Sequence, residues 1–113
     1  MDKNILNREA ILAADDYHRE YVDMPEWGGG VYIQAISAKT GLEIAARETS
    51  DTDRTRTFIE TLLVSSVVDE GGHPLFTNED IPALMEKSRG AIDRLSNAIM
   101  KLNKIGSEDA EKN

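Results

Sequence analysis

The chain contains no cysteine among its 113 residues. That excludes a disulfide framework and every thiolate metal site, zinc ribbons and iron–sulfur clusters included. Basic residues are also scarce, with 13 Lys+Arg against 21 Asp+Glu for a net charge of −8. Phosphate neutralisation by Lys and Arg supplies most of the affinity of nucleic-acid binders, and no basic stripe of useful length exists, so nucleic acid is not an expected partner. No apolar run approaches the roughly 20 residues of a membrane span, and the polar stretch Met1 to Asn7 does not read as a signal peptide. The expectation is an intracellular chain that meets neither membrane nor nucleic acid. What is present is 40% hydrophobic residues, enough for one small core and too many for a disordered chain. Aromatics make up only 5%, and four of them, Tyr17, Tyr21, Trp27 and Tyr32, fall in one short stretch.

That stretch reads as a β-hairpin over about 17–36. Tyr17 and Tyr21 lie on one strand face, His18 and Val22 on the other. Pro25-Glu26-Trp27-Gly28-Gly29-Gly30 forms the turn, and Val31-Tyr32-Ile33-Gln34 returns. An isolated hairpin is marginal in water, so it must pack on helices of its own chain or on a neighbour. Before it, Ile5, Leu6, Ile11 and Leu12 at helical spacing, with Asn7 as N-cap, predict a short helix or a loosely attached arm. Beyond it the chain is helical over about 38–105. Ser37 caps a helix from Ala38 to about Glu48. The polar run Thr49 to Thr57 leads into a central helix over roughly Asp53 to Val68, with Phe58, Ile59, Leu62, Leu63, Val67 and Val68 as its apolar face. Asp69-Glu70-Gly71-Gly72 stops it. Thr77 and Asp80 compete as the next cap, Pro82 favouring Asp80. A short helix through Met85 precedes the last, from about Ser88 to Lys104, ended by Gly106, with a mobile acidic tail at 107–113. The class is thus α+β and mainly α-helical: a single small domain over 1–106 in which an N-terminal hairpin packs with about four to five helices.

No catalytic constellation emerges. His18 and His73 are far apart and without companions at metal-ligand spacing. Asp51-Thr52-Asp53 opens like a calcium loop, but Arg56 stands where the loop needs Gly and Leu62 where it needs Glu. The acidic pairs Asp15-Asp16, Asp69-Glu70 and Glu79-Asp80 sit at element boundaries, where carboxylates serve caps and solvated turns. No metal, cofactor or enzymatic activity is expected. A binding surface remains. Trp27, beside three glycines at the hairpin tip, is either an interface anchor or a lid folded back on the core. The hairpin faces are either both covered within the domain, Val22, Val31 and Ile33 above all, or partly offered to another protein. Ile92, Leu95, Ile99 and Leu102 form a seam on the last helix that fits an internal core or a partner helix.

Two segments carry a family resemblance. Tyr21-Val22-Asp23-Met24-Pro25-Glu26-Trp27-Gly28-Gly29, followed by Val31-Tyr32-Ile33, resembles the V-x-V-P-E-W-G-G-x-V hairpin of tail assembly chaperones from long-tailed phages and prophages. Asp69-Glu70-Gly71-Gly72-His73-Pro74-Leu75-Phe76-Thr77-Asn78-Glu79-Asp80 is similar to that family's D-E-x-G-x-P-L-F-T-x-E-D loop, and the helix through Ile92-Asp93-Arg94-Leu95 follows in the same order. Pro82 departs from the family's usual helix-forming residue.

The resemblance implies a non-catalytic assembly factor of the host bacterial cytoplasm, absent from the mature virion. Such a factor keeps the tape measure protein soluble, helps recruit tail tube protein, and self-associates. It also implies a longer form made by frameshifting near the end of the shorter reading frame. The candidate partner-binding and self-association residues are Tyr21, Pro25, Trp27, Tyr32, Ile92, Leu95, Ile99 and Leu102. Composition alone equally fits an acidic regulatory or antitoxin-like module that meets a basic partner.

Overall fold

Alternation of apolar and polar residues over Arg19–Met24 (β1) and Gly29–Gln34 (β2) produces an antiparallel hairpin running in register from Arg19↔Gln34 to Met24↔Gly29. The computed structural model describes residues 4–46 and 51–105. Between the strands Pro25–Trp27 makes one 3-10 turn, with Pro25 at its first position, where its fixed φ suits the turn and its missing N–H costs nothing. Gly28 closes the turn at φ +79°, donating its N–H to the Pro25 carbonyl, a conformation that opposes a Cβ.

The period-2 pattern decides what each hairpin face does. Val22, Met24, Val31 and Ile33 point to one side and meet the helices; Met24 and Ile33 are fully buried there. Arg19, Tyr21, Asp23, Tyr32 and Gln34 point to the other, which we call the outer face. The core is completed by Leu62 and Leu63 of α3 (Asp51–Ser66), Leu84 of α4 (Ile81–Leu84), and Ala91, Ile92, Leu95 and Ile99 of α5 (Arg89–Leu102). α5 lies against α3 and both hairpin strands. Two helical hydroxyls, Ser66 and Ser96, are buried in this region without a hydrogen-bond partner.

The central helix differs from the expectation at its end. α3 stops at Ser66, and Val67–Val68 forms a third strand, β3, on the free edge of β2 with Tyr32↔Val68 and Ile33↔Val67 paired. Two β-branched residues ahead of Asp-Glu-Gly-Gly gain ladder bonds and near-complete burial by leaving the helix. The chain then turns through Asp69–His73. The Asp69 carboxylate accepts the N–H groups of Gly71 (2.8 Å) and His73 (2.9 Å), Gly72 takes φ +88°, and Leu75 donates back to Val67.

Of the two competing caps near residue 80, Thr77 is the one used; Asp80 stands before α4 but makes no side-chain cap bond to it. Thr77 and Asp80 form a capping box around the 3-10 turn Asn78–Asp80, the Thr77 N–H donating to the Asp80 carboxylate at 2.8 Å. α4 starts only after it, with Pro82 in its first turn. Ser37 caps α2 (Ala38–Ala46) as expected, and Ser88, at the expected start of the last helix, caps α5. α5 ends at Leu102, ahead of Gly106, because Lys104 takes the left-handed conformation at φ +56° and Ile105 donates to the Met100 carbonyl. Gly106, the tail 107–113, Glu48 and Thr49 lie outside the described residues.

α1 (Arg8–Ala13) is capped by Asn7, which accepts the Ala10 N–H at 2.8 Å. Every described residue from Asn4 to His18 is exposed. The arm reading holds together with the helix reading.

Candidate functional site

The eight candidate binding residues separate into three places. Tyr21 and Tyr32 are directly opposed across β1 and β2 on the outer face, ring centroids 5.8 Å apart at 72°. This edge-to-face pairing is favoured by the ring quadrupoles. Tyr32 is half-buried, whereas Tyr21 is 59% exposed and lies over Gly30, where a Cβ would collide with its ring. An aromatic side chain here replaces the packing that a glycine cannot supply.

Pro25 and Trp27 stand at the hairpin tip. Trp27 is 36% exposed and forms one wall of an open hollow of about 210 Å³, completed by Phe76, Ala83 and Leu84 with Asp80 and Lys87 at its lining. The tip is held against the body by Glu26, whose carboxylate accepts from Arg94 Nη1 of α5 at 2.8 Å. The Asp69 loop and α4 therefore bring residues distant in sequence to one apolar hollow beside the tryptophan.

Ile92, Leu95 and Ile99 lie elsewhere, in the core between α3 and the sheet, with Leu102 half-buried at the end of the same stripe. This seam satisfies its own domain; a partner reaches it only if α5 lifts away. The physical reason is area. A hairpin and one central helix leave a wide apolar face, and α5, the most two-sided of the described helices, covers it.

Sequence reasoning missed a larger hollow. Ile36, Gly41, Ile44, Ala45, Phe58, Asn103 and Ile105 enclose a groove of about 450 Å³ between α2, α3 and the end of α5. Asn103 organises it: its Oδ1 accepts the Ile36 N–H at 2.9 Å while its Nδ2 donates to the Ile99 carbonyl. No local motif marks the groove, because its walls come from three separated segments. Beside it Leu42 is 72% exposed. The one signal available was α2 itself, whose Leu42 and Ile44 cannot both face inward.

Among the described residues the titratable groups form no reactive cluster. Asp69 is held below the usual carboxylate range, chiefly by the backbone N–H of His73 and also by that of Gly71, a feature of a tight loop. His73 Nδ1 lies 3.3 Å from the same carboxylate at an exposed site. Among the described residues no three His, Cys, Asp or Glu side chains converge to hold a metal ion, and no helix is long and apolar enough to cross a membrane. The chemistry on offer is apolar contact.

No family model and no curated protein matches the chain. Among solved structures it is similar to the tail assembly chaperone of bacteriophage HK97, at a TM-score of 0.61 and 20% sequence identity, over 83% of this chain and 94% of that one. Over most of its length the chain thus has the fold of the bacteriophage HK97 tail assembly chaperone.

Proposed function

We propose that the protein is a phage tail assembly chaperone, a non-catalytic binding protein of the host bacterial cytoplasm that is left out of the mature virion. The observation that carries the reading is the shared fold, which spans nearly the whole of the HK97 chaperone. It agrees with the hairpin and loop motifs, which lie side by side at the Trp27 hollow. In this reading the protein keeps the tape measure protein soluble and helps recruit tail tube protein, and it self-associates while doing so. A long apolar helical client needs exposed apolar hollows to dock in and a strongly charged carrier to stay dispersed. The Trp27 hollow supplies the first, and the net charge of −8 the second.

Co-expression with the tape measure protein of the same phage tests this. Its soluble yield should rise and a complex should co-purify. Trp27→Ala should weaken capture by about tenfold or more, as expected for a truncated aromatic anchor. Absence of any complex at both low and moderate salt overturns the assignment.

A further inference from the structure

We propose that Arg94 is a positioning residue for the Trp27 hollow: through its bond to Glu26 it seats the tryptophan at the hollow's edge, and so sets how tightly an apolar side chain of the client is held there. The inference rests on the reading of that hollow as the client's seat; the seating of Trp27 is a property of this chain alone.

The hairpin tip is small and stiff. Pro25 fixes its own φ, the Gly28 N–H closes onto the Pro25 carbonyl at 3.1 Å, and Glu26 and Trp27 sit side by side within that single 3-10 turn. At three residues per turn, successive side chains project about 120° apart. A constraint on the direction of Glu26 is therefore a constraint on Trp27. Met24, one residue before the turn, is fully buried and holds the strand. After the turn, Gly28 and Gly29 have open space where a Cβ would stand, so no side chain there props the tip against a neighbour.

The tie that remains crosses the molecule. Glu26 Oε1 accepts from Arg94 Nη1 at 2.8 Å, from 68 positions along the chain. Among the described residues this is the one hydrogen bond or ion pair that joins residues 25–28 to anything outside the hairpin. Arg94 has no competing acid on its own helix. Gly90, Ala91, Asn97 and Ala98 stand one turn away on either side, and the neighbouring Asp93 is engaged by Arg89 at 3.4 Å.

A partly exposed pair contributes little to global stability, so its consequence is local: it decides where the tip rests. The opposite wall of the hollow is built elsewhere, from Phe76 beyond the Asp69 loop and from Ala83 and Leu84 of α4. The width of the hollow is thus the distance between a tip tied to α5 and a wall carried by α4. Arg94 controls one side of it without lining it.

Trp27 is the chain's one tryptophan, so its fluorescence reads the tip directly. In Arg94→Met the emission should move to longer wavelength and acrylamide quenching should rise, while the urea midpoint stays close to that of the wild type. Capture of the tape measure protein should weaken by about two- to fivefold, the reach of an exposed ion pair acting through position. Arg94→Lys, which can make the same single bond, should restore both signals, as should the exchanged pair Glu26→Arg with Arg94→Glu. Three results overturn the proposal. Unchanged emission and quenching in Arg94→Met show that the tryptophan is seated without the pair. Shifted emission with undiminished capture shows that its seating does not govern the client. A loss of capture that neither Arg94→Lys nor the exchanged pair restores shows that Arg94 acts by another route. If the wild-type chain captures no tape measure protein, the client reading falls, and the fluorescence comparison still decides whether Arg94 seats the tryptophan.

Discussion

Lys104 is the residue whose backbone works against its side chain. It takes φ +56°, and the hydrogen bonds around it form the helix-ending pattern in which Ile105 donates to the Met100 carbonyl and Lys104 to that of Lys101. Glycine normally occupies this position, because a Cβ in the left-handed region costs about 1 kcal/mol. The stop is nevertheless placed here, ahead of Gly106, because Ile105 then packs onto the core beside Met100 and helps wall the groove. Lys104→Gly should therefore stabilise the domain by about 0.5–1 kcal/mol and raise the thermal midpoint by a few degrees, read by scanning calorimetry. An unchanged or lowered midpoint would mean that the lysine side chain contributes contacts which outweigh its backbone strain.

At the scale of elements, the hairpin depends on one close approach. Gly30 lies under the Tyr21 ring, and a Cβ there would also meet the Val22 carbonyl oxygen at 2.6 Å. The ring can swing; the carbonyl belongs to the ladder and cannot. Gly30→Ala should cost about 1–3 kcal/mol in urea unfolding and detach the Tyr21–Tyr32 pair, visible as a changed tyrosine near-ultraviolet signal. Gly29, with open space where its Cβ would be, provides the control for substitution at the turn. Elements of this kind were largely legible in the sequence. Alternation located the hairpin, and the three-four-three spacing of Ile92, Leu95, Ile99 and Leu102 located α5, since both patterns persist long enough to have a period. β3 was not legible, because two valines following a helical run have no period of their own and take their conformation from the open edge of β2. The groove was invisible for a related reason: it exists only where Ile36, Phe58 and Ile105 meet, and pairwise proximity across such separations leaves no local pattern. Trp27 was legible as a surface feature through its neighbours in the turn, and Phe76 as an apolar residue that pins its loop to the core; that the two meet, with Ala83 and Leu84 of α4, was not legible, because the contact joins segments far apart in the chain.

For the molecule as a whole, apolar surface is exposed at both ends of a sheet whose strands span roughly 17 Å. The Trp27 hollow lies at the tip of the hairpin, and the arm and groove lie at its root. In the proposed reading a client docks at the tip and leaves the root end of the sheet uncovered. The division requires the arm to be structurally dispensable to its own copy. No described residue from Asn4 to Ala14 is buried or packed against the core cluster. Deletion through Ala14 should consequently leave the urea midpoint and slope of the dilute monomer within error, and its thermal midpoint within about 2 °C, because surface residues without buried contacts contribute little to stability. A truncated chain that unfolds several degrees earlier at low concentration would show that the arm packs on its own body, and the root end of the sheet would then have no free face to offer.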